Sequence, residues 1–303
     1  MGHQRLAALA LLFTKTRVPV GCAAETVTHS PQQLLAILDS HCLEPRRGLG
    51  QNFVVDPNTV RRIAKLSGAG AGEAVVEIGA GLGSLTLALA ETGAEVTAVE
   101  VDSGLARALR DIVADHDVRV VVDDARTLDW AALLAGRNDW RLVANLPYNI
   151  AASLVVDLLG NVAALKSMLV MVQREVGERL AAEAGDKAVG IPSLLVAYHG
   201  TARLVGRVPA TVFHPRPKVE SVLVQIDRHP VPPVEEPLEL IGTLLRAGFG
   251  QRRKMLRRSL GAYVDPAGFE EAGVDNRARP ETLSLRDWSR LAAAADFGPA
   301  ATQ

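Results

Sequence analysis

Residues 74–91 constrain the fold more than any other stretch of the chain. Ala74-Val75-Val76-Glu77-Ile78 is an apolar run with one carboxylate, and it empties into Gly79-Ala80-Gly81-Leu82-Gly83 before a helical pattern follows over 82–91. A run that short, ended by glycine, reads as a buried strand. The glycines let the backbone turn sharply and pass close to a ligand, and the helix start leaves N–H groups free. Strands are then expected over 95–101, 118–122, 140–144 and 167–173, with helices over 103–116, 151–159 and after 173. Strand and helix in alternation specify an α/β fold, a Rossmann-like, doubly wound, mostly parallel sheet. Two more strands are expected over 197–208 and 219–227. Ligands of such sheets lie beyond the carboxyl ends of the strands.

Upstream, Ser30-Pro31 marks a helix start with the helix over 32–40, and Asp56-Pro57-Asn58 caps another to about 67. Arg46-Arg47-Gly48-Leu49-Gly50 reads as a flexible basic loop. Residues 6–13 are apolar between Arg5 and Lys15. At about eight residues the run sits at the short limit of a signal-peptide core. It is far below the roughly 20 needed to span a bilayer. Residues 1–45 are therefore expected to be an extension, partly disordered or a short helix, and no membrane partner is expected. His229-Pro230-Val231-Pro232-Pro233-Val234 is a linker. It separates a large α/β domain over 46–228 from a small C-terminal all-α domain over 235–303. The two cysteines, Cys22 and Cys42, form neither a disulfide framework nor a metal-spaced cluster, which fits a reduced, cytoplasmic compartment and no metal.

The glycine spacing is G-x-G-x-G rather than the G-x-G-x-x-G of dinucleotide sites. Glu77, two positions before Gly79, would repel a pyrophosphate. It would favour the positively charged sulfonium and α-amino groups of S-adenosyl-L-methionine. Gly79 and Gly81 then line that cofactor. Glu100 ends the second strand about twenty residues after Gly79, where a carboxylate accepts ribose hydroxyls. Asp124, at the end of the third strand, is placed to take the adenine amine.

Beyond the fourth strand comes Asn145-Leu146-Pro147-Tyr148-Asn149-Ile150. An exocyclic adenine amine is a poor nucleophile, because its lone pair is delocalised into the ring. The Asn145 amide oxygen and a backbone carbonyl near Leu146 or Pro147 can accept its two N–H groups and localise that pair. Tyr148 can stack on a base taken out of its helix. Orientation then supplies most of the rate, with no metal or covalent intermediate. A cytosine-C5 enzyme would need a Pro-Cys pair, and the sequence has none.

With these motifs the chain resembles the ribosomal RNA adenine N6-dimethyltransferase family, over roughly 46–295, and most closely its bacterial small-subunit (16S), kasugamycin-sensitivity branch. Further shared segments are Leu49-Gly50-Gln51-Asn52-Phe53, Glu100-Val101-Asp102, Asp123-Asp124-Ala125, Gln173-Arg174-Glu175-Val176, Phe213-His214-Pro215-Arg216-Pro217-Lys218-Val219 and Phe249-Gly250-Gln251-Arg252-Arg253-Lys254-Met255-Leu256-Arg257. The resemblance implies that Gln51, Asn52 and Val54 close over the cofactor's methionine end, and that Gly79, Glu100, Asp124 and Asn145 line the rest. It implies two adjacent adenines in a 3′-terminal hairpin of small-subunit rRNA, in an immature subunit, each methylated twice by a monomeric enzyme. Arg216 departs from the proline many relatives carry, and the segment before Arg46 has no recognised counterpart.

The net charge is −1, so RNA contact must come from local clustering. Arg252, Arg253, Lys254, Arg257 and Arg258 are expected to share one helix and to track phosphates. Arg46-Arg47, Arg203, Arg207, Arg216 and Lys218 are weaker candidates. The competing readings are a large-subunit rRNA adenine methyltransferase of the macrolide-resistance type, a DNA adenine methyltransferase, which would more typically carry Pro at 146, and a non-catalytic RNA-binding assembly factor. The last would be signalled by loss of Asn145, Tyr148 or the strand-end acids, and all are present.

Overall fold

The order of strands and helices in the computed structural model follows from where the chain can bury its apolar runs; residues 29–46 and 50–298 are described. The apolar run over 6–13, Cys22, and Arg47-Gly48-Leu49 lie outside the described residues. Ser30 opens α1 (Pro31–Ser40) with a reciprocal cap: its Oγ accepts from Gln33 N at 3.3 Å, and its own N–H donates to Gln33 Oε1 at 2.8 Å. Leu34 and Leu38 of α1 are buried with Phe53, Leu82 and Leu105. Part of the expected extension is therefore packed into the body of the protein. β1 (Phe53–Val54) follows, then α2 (Pro57–Leu66), capped by Asp56 accepting from Thr59 N at 2.7 Å.

The chain continues through β2 (Ala74–Ile78), α3 (Ser84–Ala90), β3 (Glu95–Glu100), α4 (Ser103–Ile112), β4 (Val118–Val122), α5 (Trp130–Leu133), β5 (Trp140–Asn145), α6 (Ala151–Asn161) and β6 (Leu165–Gln173). After these come α7 (Arg174–Leu180), α8 (Ile191–His199), β7 (Gly200–Val208), β8 (Phe213–His214) and β9 (Ser221–Arg228). The main sheet has the order β4-β3-β2-β5-β6-β9-β7. Its first five strands are parallel, and β9 runs antiparallel to both neighbours. Every residue of β2 is buried, as a strand covered on both faces requires. β1 and β8 form a separate antiparallel pair.

One expectation fails here. Residues 197–199 end a helix, and the strand begins only at Gly200. The run Ile191-Pro192-Ser193-Leu194-Leu195-Val196-Ala197-Tyr198 is nearly all apolar, so periodicity could not separate a buried helix from a strand.

After the proline-rich segment lie α9 (Leu238–Gly250), α10 (Leu256–Ser259), α11 (Pro266–Glu271) and α12 (Leu285–Ala293). They gather around Trp288, Leu244, Leu245 and Phe269. Leu194 of α8 belongs to the same cluster, so the helical region shares its core with a helix from the sheet side. Among the described residues no helix is long and apolar enough to cross a membrane.

Candidate functional site

The Gly79–Gly83 turn leaves β2 at the carboxyl edge of the sheet. Gly81 and Gly83 have φ of +58° and +82°, a region that side chains rarely adopt. A Cβ on Gly81 would meet Phe53 Cε1 at 3.0 Å, and one on Gly83 would meet Leu109 Cδ1 at 2.7 Å. The turn borders a cleft of about 760 Å³ of empty space, its open mouth included. Gln51, Asn52, Val54, Glu77, Gly79, Gly81, Glu100, Asn145 and Pro147 all line it. Residues chosen from segments far apart in sequence thus meet in one place.

Two acids set the electrostatics. Glu77 is 2% exposed, and Thr86 Oγ1 donates to its Oε2 at 2.6 Å. Burial pushes its carboxyl up to about 8; the nearby Glu100 charge adds to the rise, and the Thr86 bond opposes it. Glu100 is also raised by burial, against backbone N–H bonds from Asp102 and Gly81 at 2.9 and 2.8 Å. Two carboxyls held in a largely apolar cleft are disfavoured as anions until a positive group arrives. That is the charge complement of a sulfonium amino acid joined to a nucleoside, so the donor set fits S-adenosyl-L-methionine.

Asn145 closes β5. Its Nδ2 donates to the Asn52 carbonyl at 2.9 Å, which fixes which end of the amide is which and leaves Oδ1 as an acceptor. Leu146 N donates to Met171 O at 3.1 Å, seating the motif on β6. Pro147 O accepts from Ile150 N at 3.2 Å. Tyr148 is half-buried, and its hydroxyl is hydrogen-bonded to Ser221 Oγ at 2.9 Å. Burial raises the phenol, and the Ser221 bond opposes this.

Other expected residues sit elsewhere. Asp124 is absent from the lining of the cleft. Its carboxylate is gripped by Arg126, with Nη2 donating to Oδ2 at 2.6 Å and the backbone N to Oδ1 at 3.0 Å. That grip holds the Asp124 carboxyl below its usual range. The basic cluster does not lie on one helix. Arg252, Arg253 and Lys254 occupy the turn after α9, and only Arg257 and Arg258 are in α10, a single turn. α9 stops at Gly250 and α10 starts only after the extended Met255, so the five cations share no continuous helical face. Arg252 is also engaged: its Nη2 donates to Lys187 O at 2.8 Å, and its Nε lies 3.6 Å from Glu281. Arg253, Lys254, Arg257 and Arg258 are exposed.

Sequence reasoning did not single out Gly50, Leu105 or Val101 for the cleft wall, nor Ser221. The helix placed over 32–40 gave one usable signal for the wall: its apolar residues at 34 and 38 needed a partner. The ion pair of Arg46 with Asp102, at 3.1 Å, joins the basic loop to the cap of α4.

A family model described as ribosomal RNA adenine dimethylase matches residues 43–296. The ribosomal RNA small subunit methyltransferase A of Thermobifida fusca is 45% identical over 261 residues, covering 82% of this chain and 90% of that protein. The protein of the same name from Leifsonia xyli is 45% identical over 275 residues, covering 87% and 97%. Among solved structures, the 23S rRNA methyltransferase ErmE superposes with a TM-score of 0.62 at 25% identity, over 80% of this chain and 98% of its own. A dimethyladenosine transferase from Plasmodium falciparum gives 0.67 at 21% identity, over 79% and 95%, a likeness of fold.

Proposed function

Because this chain belongs to the ribosomal RNA adenine dimethylase family, we propose that it transfers methyl groups from S-adenosyl-L-methionine to the N6 amines of adenines in small-subunit ribosomal RNA. The observation that carries the reading is a shared wall: Asn145 and Pro147 line the same cleft as Glu77, Gly79, Gly81 and Glu100. An acceptor amine held by the first pair therefore faces whatever the second group holds.

When bound, S-adenosyl-L-methionine supplies an electrophilic methyl group on a positively charged sulfur. Glu77 and Glu100 hold the cofactor's positive and hydroxyl groups, with Gln51, Asn52 and Val54 as the facing wall. Asn145 Oδ1 accepts one N–H of the target amine, since its Nδ2 is committed to Asn52. Leu146 O is favoured for the other N–H, because Pro147 O already closes a turn with Ile150. Two acceptors on one side draw the hydrogens out of the ring plane and turn the lone pair toward the methyl donor. Tyr148 provides the face on which the extruded base stacks. Asp124 joins the cofactor's adenine only by exchanging its bonds with Arg126.

Arg253, Lys254, Arg257 and Arg258 of the helical region, with Arg252 anchored behind them, contact phosphates and position the RNA. The target is the pair of adjacent adenines in the 3′-terminal hairpin of an immature small subunit, each methylated twice by a cytoplasmic monomer. The identity to small-subunit relatives favours this target over the large-subunit RNA of the ErmE type.

The test is to incubate the protein with labelled S-adenosyl-L-methionine and undermethylated small subunits, mapping products by primer extension and mass spectrometry beside Asn145→Ala. Paired N6-dimethyladenines near the 3′ end, lost in the variant, support the reading. Label confined to large-subunit RNA moves the protein to the resistance branch, and cofactor binding without transfer favours an assembly factor.

A further inference from the structure

We propose that Ser221 is a positioning residue for methyl transfer, fixing the tilt of the Tyr148 ring through a hydroxyl-to-hydroxyl hydrogen bond. The inference rests on the reading of Tyr148 as the ring on which the target base stacks. The topology puts the two together. β5 and β6 deliver their carboxyl ends to the cleft edge, and β9 runs the other way, so its first residue reaches that same edge. That residue is Ser221.

The two partners differ in mobility. Ser221 is 0% exposed, and its backbone is paired with Gln173 of β6 on one side and Val208 of β7 on the other. Tyr148 lies in the turn between β5 and α6, half-exposed, with no strand to hold it. Its ring swings about two side-chain bonds, and a tether at the far end of the phenol removes most of that freedom. Hydration alone could satisfy a half-exposed phenol, so satisfying the hydroxyl does not require a buried serine. What the buried serine adds is direction. A base stacked on a ring of fixed tilt presents its amine to Asn145 in one orientation, and misplacement by an ångström is costly in such a reaction.

The test uses the full chain with S-adenosyl-L-methionine and small subunits lacking the modification. Ser221→Ala, Tyr148→Phe and the double variant are compared. Each single change is expected to lower kcat on the order of tenfold while KM for the cofactor moves less than about twofold, and the double to be no worse than the worse single. An unchanged kcat for Ser221→Ala, or effects that multiply in the double, overturns the proposal. Fluorine NMR on protein carrying 3-fluorotyrosine reads the pair without catalysis; the chain has three tyrosines, and Tyr148→Phe assigns the signal. A sharp Tyr148 resonance that broadens or splits in Ser221→Ala is expected, and an unaltered line overturns the tether. Wild-type protein that transfers nothing while showing that NMR change overturns the functional reading instead, and leaves the tether standing.

Discussion

Replacing Glu77 with glutamine separates charge from shape in the cleft. The glutamine oxygen can still accept from Thr86, and the volume is unchanged, so the variant removes little besides an ionisable proton. In the folded protein the carboxyl is pushed up from 4.5 to about 8, mainly by burial. The folded state therefore holds a proton that the unfolded state releases between those values. Stability falls as pH rises through that window, because the unfolded state gains from ionising and the folded state does not. Each unit costs about 1.4 kcal/mol. The carboxyl should thus destabilise the ligand-free protein by about 3 kcal/mol at pH 7 and about 4 kcal/mol at pH 8, relative to pH 4.5.

Urea unfolding of the wild type and Glu77→Gln from pH 5 to 8.5 checks this. The wild type should lose stability across the range, and the variant should lose much less, ending the more stable of the two above pH 7. Cofactor affinity should move the other way. A cation entering the cleft ionises Glu77, so binding at pH 7 should release close to one proton, read as buffer-dependent heat in calorimetry. The variant should release almost none and bind more weakly. Parallel stability curves, together with no proton release in either protein, would refute the reasoning. Glu77 would then be ionised and stabilised by a contact other than the ligand.

Arg126→Ala should tighten cofactor binding a few-fold, measured by titration calorimetry, because Asp124 no longer has to exchange an exposed ion pair before accepting a base. Unchanged or weaker binding removes Asp124 from the cofactor site. Arg253→Glu should weaken RNA binding and reduce the slope of log affinity against log salt by about one. Arg252→Glu should in addition lower the melting temperature, because Arg252 ties the turn to Lys187 and Glu281. Gly83→Ala should cost about 1–3 kcal/mol from its left-handed backbone alone, with more from Leu109, and should raise the cofactor Kd.

The cleft was legible because its determinants are local. Each glycine of 79–83 declares its backbone need within the turn, and the acids at 77 and 100 mark strand ends by position alone. The position of the Asn145–Tyr148 motif beside the cleft was legible for the same reason, since it directly follows a strand that ends at the cleft edge. Contacts between distant segments were not legible. Nothing near Ser221 predicts a phenol arriving from the turn after β5, and nothing near Asp124 says that Arg126 folds back on it rather than facing RNA. The basic run misled because charge spacing was read as helical while Gly250 and Met255 break the helix. α8 was misread because a helix buried against both the sheet and the helical core has no polar face to reveal its period.

The two functional motifs are less separate than the sequence suggests. The amide orientation of Asn145 depends on the main-chain carbonyl of Asn52, 93 residues away. Asn52 belongs to the 50–54 segment that forms a wall of the cofactor cleft. Phe53 in that segment packs beneath α1 and is the ring that Gly81 approaches. A displacement of the wall therefore reaches the glycine turn through Phe53 and the Asn145 amide through Asn52 together. A ligand that settles the wall against the glycines also settles the orientation of the Asn145 amide. The hydrogen bond comes from a backbone carbonyl, so no side-chain change at position 52 can sever it directly. That places the coupling in the course of the backbone, where a comparison of side chains alone would not find it.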